Sequence, residues 1–227
     1  LFVHTDPNQR ITKRFIFHKS NYTIDLEIQV QNLSASSLSL QLPLVLGVLD
    51  FSAQPAEARF QDVTINTLEK IVHPPVRKSA VFPRVKFLGL RNRYFCAIIE
   101  PLEKISYSAS TKKINASASQ ISLDIPEFVL SPNQKTTLKF RIYLGPQDLR
   151  IINQVNSEWS AVIHYGAFDL IANLILQTIE IIHRFVHNWG WAIIILSILI
   201  FIILFPLTLK QMRSMKEMQV LQPHIEE

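Results

Sequence analysis

Apolar and polar residues alternate with the period of a β-strand through much of the first 160 or so positions. Ile24, Leu26, Ile28 and Val30 alternate with Asp25, Glu27, Gln29 and Gln31, so one face of the strand is apolar and the other wet. Leu38, Leu40, Leu42, Leu44 and Leu46 repeat the pattern, and Pro43 among them implies an edge position. Further strands are predicted over 59–65, 81–88, 94–99, 120–125 and 138–144. The last alternates Leu138, Phe140, Ile142 and Leu144 with Lys139, Arg141 and Tyr143. Polar turns such as HKSN, LRNR and SPNQ separate these runs. Many short strands with few helical periods predict a mainly β, antiparallel sandwich over residues 1–160.

The period changes after that domain. Asp169, Asn173, Gln177, Glu180, Arg184 and His187 recur every three or four residues and form one stripe of a helix. Phe168, Ile171, Ile175, Ile179, Ile182 and Val186 form an apolar stripe. An amphipathic helix within 161–188 that leads straight into an apolar run is expected to lie along a membrane interface with its apolar face down.

That run, Trp189 to Leu209, has no ionisable side chain. As a helix its roughly 21 residues span about 31 Å, the thickness of a bilayer's hydrocarbon core. The twelve Ile, Leu and Phe residues between Ile193 and Phe205 together favour insertion by about 4 to 7 kcal/mol as an upper bound. It reads as a transmembrane helix. Lys210, Arg213 and Lys216 follow at once, whereas the other flank offers Arg184 with Glu180 one turn away, so the C-terminal end is expected in the cytoplasm. The β domain is then outside, in the periplasm or an equivalent space. Export of such a domain requires a signal or an earlier anchor upstream of Leu1. Residues 210–227 read as the start of a cytoplasmic helical hairpin, with Met212, Met215 and Met218 as a soft apolar strip and Pro223 at its bend.

Charge and composition add limits. Lys and Arg number 23 against 18 Asp and Glu, and Lys70, Arg77, Lys78, Arg84, Lys86, Arg91 and Arg93 concentrate the excess in 70–93. Outside the cell such a region is a solvated face or a surface near anionic headgroups rather than a nucleic-acid site. The single cysteine, Cys96, rules out a disulfide within the chain and reads as a buried strand residue. His183 and His187 have metal-ligand spacing in HRFVH but lack the glutamate of the zinc-protease pattern, so no metal site is assigned. No phosphate-cradling glycine motif or nucleophile elbow is present, and no enzyme activity is expected.

The segment from Phe185 to Ile225 carries several motifs in order: Asn188-Trp189-Gly190, Phe205-Pro206-Leu207-Thr208, Lys210-Gln211, and the SMKEMQVLQPHI run from Ser214. Together they closely resemble the YidC family of membrane protein insertases. FIFHKSNYTIDLEIQVQN, FRIYLGPQDL and YGAFDLIANLI are similar to the family's periplasmic domain and its lead-in to the membrane. The resemblance implies a β-supersandwich, similar in fold to sugar mutarotases but without catalysis, and a bundle of transmembrane helices around a hydrophilic groove open to cytoplasm and lipid. Nascent membrane proteins enter that groove, alone or with the Sec translocon. The partners implied are these clients, the translocon and the lipid bilayer, with no nucleic acid except through the proximity of a ribosome. No cofactor, nucleotide or metal is implied. A polar recess shortens the apolar barrier that a hydrophilic segment must cross.

The resemblance also assigns residues. Ser197 matches a polar groove-facing position and is expected to face substrate. Phe201, five residues before Pro206, stands where the family usually carries arginine, which puts charge-assisted capture of acidic client segments in doubt. Lys210, Arg213, Met212, Met215 and Met218 form the expected cytoplasmic contact region. One helix does not enclose a groove, so the chain is expected to be part of a longer product. The alternative is a single-pass anchored periplasmic binding module.

Overall fold

The computed structural model describes residues 1–52, 60–75, 78–103, 105–164 and 169–221, apart from the side chains of 169, 213, 214 and 216–221. They belong to two units, residues 1–163 and 164–227. The first is β-rich. Its strands run β1 (Phe2–Thr5), β2 (Gln9–Phe17), β3 (Thr23–Asn32), β4 (Leu38–Leu40), β5 (Pro43–Asp50), β6 (Asp62–Thr67) and β7 (Ile71–Val72). After them come β8 (Ala80–Pro83), β9 (Val85–Arg91), β10 (Phe95–Pro101), β11 (Ser108–Lys113), β12 (Ala118–Asp124), β13 (Phe128–Leu130) and β14 (Lys135–Pro146).

An eight-stranded sheet has the order β1-β2-β3-β14-β10-β9-β6-β7, a four-stranded sheet the order β5-β12-β11-β8, and β13 pairs with β4. The pairings are antiparallel. Pro43 opens β5, an edge strand, where its missing N–H costs no ladder bond. Leu26, Ile28 and Val30 of β3 and Leu138 and Phe140 of β14 point into one core with Leu49, Ile121 and Leu123 of the smaller sheet. The expected sandwich is present.

Alternation fails at the end of β14. Tyr143 is fully buried and Leu144 is 50% exposed, the reverse of the expected sides. The cause is a second core on the other face of the large sheet, where Phe87, Cys96, Ile98 and Tyr143 pack with Ile152, Trp159 and Val162. Those last three belong to a helix, α1 (Leu149–Val155), and a 3₁₀ turn (Ser157–Val162) that the strand pattern did not predict. Here β9 and β10 are buried on both faces, which explains their near-continuous apolar runs, VKFLGLR and FCAIIEP.

Local chemistry seats this covering segment. Asp148 caps α1 by accepting from the Arg150 N–H at 2.9 Å, and Asn156 ends α1 and starts the 3₁₀ turn by accepting from the Glu158 N–H at 3.0 Å. Gly89 lets the turn approach, since a Cβ there would lie 2.6 Å from Val162 Cγ2. The Tyr143 hydroxyl donates to the Pro146 carbonyl at 2.7 Å, and burial pushes its pKa up to about 12. The predicted strand over 81–88 is two strands in different sheets, separated at Arg84, whose φ of 54° turns the chain.

The wet face of the large sheet carries paired charges. Glu27 lies opposite both Arg14 and Lys139, each 3.7 Å away. Burial raises the pKa of Asp25, but hydrogen bonds from Arg141 Nε and His18 Nε2, both at 2.9 Å, outweigh it and hold the carboxyl below its ordinary 3.8. A lowered folded pKa stabilises the fold above the unfolded value and loses that contribution as pH falls through the folded one. Asp25→Asn is therefore expected to narrow the gap between urea midpoints at pH 7 and pH 3; an unchanged gap refutes the assignment.

Candidate functional site

The second unit contains α2 (Asp169–Val186) and α3 (Trp189–Leu221), joined by two residues. His187 ends α2 with φ 54°, a left-handed conformation that stops the helix. Asn188 then starts α3: its side-chain oxygen accepts from the Gly190 N–H at 2.8 Å and the Trp191 N–H at 3.4 Å. Gly190 leaves room for that oxygen, which would lie 3.2 Å from a Cβ. The Asn-Trp-Gly motif is thus a helix cap. Trp189 closes the corner by stacking on His183 of α2, with ring centroids 3.8 Å apart and planes at 16°. Asn188→Ala is expected to cost about 1 kcal/mol of helix stability, read as faster hydrogen exchange at the amides of Gly190 and Trp191.

α2 packs on α3, and among the described side chains of α3 Ala192 and Leu196 are the buried ones. At about 100° per residue, Ser197, Phe201 and Thr208 share one face, roughly 100 to 180° from Ala192 and Leu196. The Ser197 and Phe201 face is therefore open. Ser197 Oγ donates to the Ile193 carbonyl at 2.8 Å and Thr208 Oγ1 to the Leu204 carbonyl at 3.1 Å. Each hydroxyl spends its proton within the helix and keeps lone pairs for an outside donor. Phe201 and Phe205 pair at 5.9 Å. Pro206 sits inside α3, and without its N–H the Ile202 carbonyl lacks the usual helical partner.

Residues 189–212 form a span long and apolar enough to cross a membrane. The helix does not break at Leu209; it continues to Leu221, so the expected cytoplasmic segment begins as an extension of the span. Lys210, Met212 and Met215 are exposed on it. The side chains of Arg213 and Met218, and the bend at Pro223, lie outside the described residues. On α2, Ile179, Ile182 and Val186 of the predicted stripe are half-buried, while Leu170, Leu174, Ile181 and Phe185 form an exposed apolar face that the sequence reading did not single out. Phe168 lies outside the described residues.

The basic 70–93 region is partly compensated. Arg84 pairs with Glu69, Lys86 with Glu158 at 2.6 Å and Arg91 with Asp62 at 3.6 Å. Arg93 lies over the rings of Phe60 and Tyr94, 5.1 and 5.3 Å from their centroids. Arg77 lies outside the described residues. Cys96 is buried, and burial pushes its thiol up to about 12, so iodoacetamide is expected to leave it unlabelled at pH 8 until urea unfolds the domain; labelling of the native chain contradicts this.

Two family descriptions match the chain: YidC periplasmic domain over residues 1–178 and 60Kd inner membrane protein over residues 181–227. The membrane protein insertase YidC of Syntrophus aciditrophicus (strain SB) is 33% identical over 233 residues, covering 98% of this chain and 42% of the relative. That of Geotalea uraniireducens (strain Rf4) is 31% identical over 236 residues, covering 100% and 44%. The chain thus spans about two fifths of the length of the curated relatives it matches. Among solved structures, a galactose mutarotase-like protein from Lactobacillus casei has a TM-score of 0.45 at 7% identity, over 60% of this chain and 63% of that one.

Proposed function

Because the chain belongs to the YidC family of membrane protein insertases, we propose that the protein helps integral membrane proteins enter and fold in the bacterial inner membrane. Its β domain lies in the periplasm and the far end of α3 in the cytoplasm, the side on which cations after a span are retained. The observation that carries this reading lies in the first turns of α3: α2 packs on the helix, Ala192 and Leu196 are buried, and Ser197 is exposed on the side away from them. In the full-length product that side lines the recess through which a client's hydrophilic segment crosses. Ser197 offers acceptor lone pairs there, and Phe201 with Phe205 offers apolar surface. The work is physical transfer and not a chemical conversion, carried out alone or beside the Sec translocon. The exposed Leu170, Leu174, Ile181 and Phe185 of α2 rest in the outer headgroup region, and Met212 and Met215 provide an adaptable cytoplasmic contact.

A photoreactive residue at position 197 of the full-length product is expected to crosslink to a nascent client above the level seen at position 202. Equal yields at the two positions remove Ser197 from the recess. Protease added outside spheroplasts is expected to degrade the β domain and spare the tail, and the reverse pattern overturns the orientation.

A further inference from the structure

A cavity of about 490 Å³ opens at one end of the β domain, within the range of ligand sites. Leu49, Leu90, Ala97 and Leu144 give it an apolar lining. Tyr22 and Phe95 stand at it 51% and 59% exposed, yet neither is loosely placed. Tyr22 has a φ of 55° and accepts from the Leu144 N–H at 3.0 Å. Its Cβ comes so close that a side chain at Gly145 would meet it at 2.8 Å. Phe95 is fixed by its N–H, which donates to Asn92 Oδ1 at 2.8 Å.

Two polar atoms in this lining lack hydrogen bonds among the described residues. They are Arg91 Nε and Gln61 Oε1, both shielded from water. The Arg91 side chain is only 15% exposed, and its Nη2 stands 3.6 Å from Asp62, longer than a hydrogen bond. A buried guanidinium compensated so loosely favours an added carboxylate, which arginine takes side-on through Nε and one Nη. An acceptor without a donor favours an N–H beside that carboxylate.

We infer that this cavity binds the C-terminal residue of a polypeptide. The free carboxylate meets Arg91 and the last peptide N–H meets Gln61 Oε1, each after a small turn of the side chain that brings the shielded atom to the cavity, and an apolar last side chain fills the hollow between Tyr22 and Phe95. A fatty acid satisfies the cation and the hollow but not Gln61. A sugar leaves the apolar lining uncovered. The inference stands apart from the insertase reading and fails or holds without it.

The test uses the full chain in lipid nanodiscs and the probe fluorescein-Gly-Ala-Leu-Phe as free acid, followed by anisotropy against empty nanodiscs. Saturable binding is expected, at least tenfold weaker for the same peptide with a C-terminal amide. Arg91→Gln is expected to erase the preference for the acid, and Gln61→Ala to weaken binding several-fold, with unchanged near-ultraviolet circular dichroism. Equal affinity of acid and amide for the unmodified chain overturns the inference without recourse to any variant, as does absence of saturable binding. Decanoate is expected to displace the probe poorly; displacement as strong as by unlabelled peptide acid assigns the site to apolar carboxylates at large and removes the polypeptide end.

Discussion

Replacing Trp159 by alanine is expected to lower the stability of the β domain by about 3 to 5 kcal/mol, the usual cost of deleting a buried aromatic side chain. Trp159 is fully buried and lies 6.2 Å from Tyr143, centroid to centroid. It is the largest side chain of the covering segment formed by α1 and the 3₁₀ turn. Its loss leaves the hollow between that segment and the sheet unfilled. Because Phe87, Cys96, Ile98 and Tyr143 depend on the same cover, the segment is expected to detach before the sandwich unfolds. Cys96 reports this directly: in Trp159→Ala its labelling by iodoacetamide should appear in urea concentrations too low to unfold the sheets. A urea midpoint within experimental error of the unmodified chain refutes the placement of Trp159 as the keystone of the second core. Gly89→Val tests the same contact from the sheet side, because Val162 occupies the space that the new side chain needs.

That second core is also where reading the sequence by alternation ran out. A period of two reports that one face of a strand is dry, and it identified Leu26, Ile28, Val30, Leu138 and Phe140 because the wet face of β3 and early β14 is truly solvated. It gave the wrong side for Tyr143 and Leu144, since burial there depends on a segment that follows in the chain and packs on the opposite face. The signal was present in the unbroken apolar runs of β9 and β10, which are the mark of strands covered twice. The paired charges of the 70–93 region could not be read from composition, because Glu158 lies 72 residues from Lys86. The corner between α2 and α3 was half legible: asparagine before an apolar run is a cap signal, but the left-handed turn at His187 and the stacking of Trp189 on His183 are tertiary facts. For the proposed recess, the hydroxyl and the aromatic at positions 197 and 201 were legible in the sequence, and the structure adds that Ala192 and Leu196 are buried on the side away from Ser197.

Arginine at position 202 is expected to hinder membrane insertion of α3 in the full-length product far more than arginine at position 201. The two sites share one depth, a single residue apart, so hydrophobic thickness and distance from the headgroups are matched. On the helix they differ by about 100°. In lipid, an arginine at the centre of a span costs about 2.5 to 3.5 kcal/mol, and the isoleucine it replaces had contributed a further 0.3 to 0.6 kcal/mol or so. That sum is a large part of the roughly 4 to 7 kcal/mol that favours the span, and a substantial fraction of the chains should become extractable at alkaline pH. If the face of Ser197 and Phe201 borders a recess that holds water, a guanidinium there keeps its hydration and most of the penalty disappears. Ile202→Arg should then be depleted from the membrane fraction while Phe201→Arg remains. Equal depletion of both means that lipid surrounds α3 on the Phe201 side as well, and the recess is then not built on this helix face. Equal retention means that the product tolerates arginine equally on both faces, and the expected difference between positions 201 and 202 is refuted.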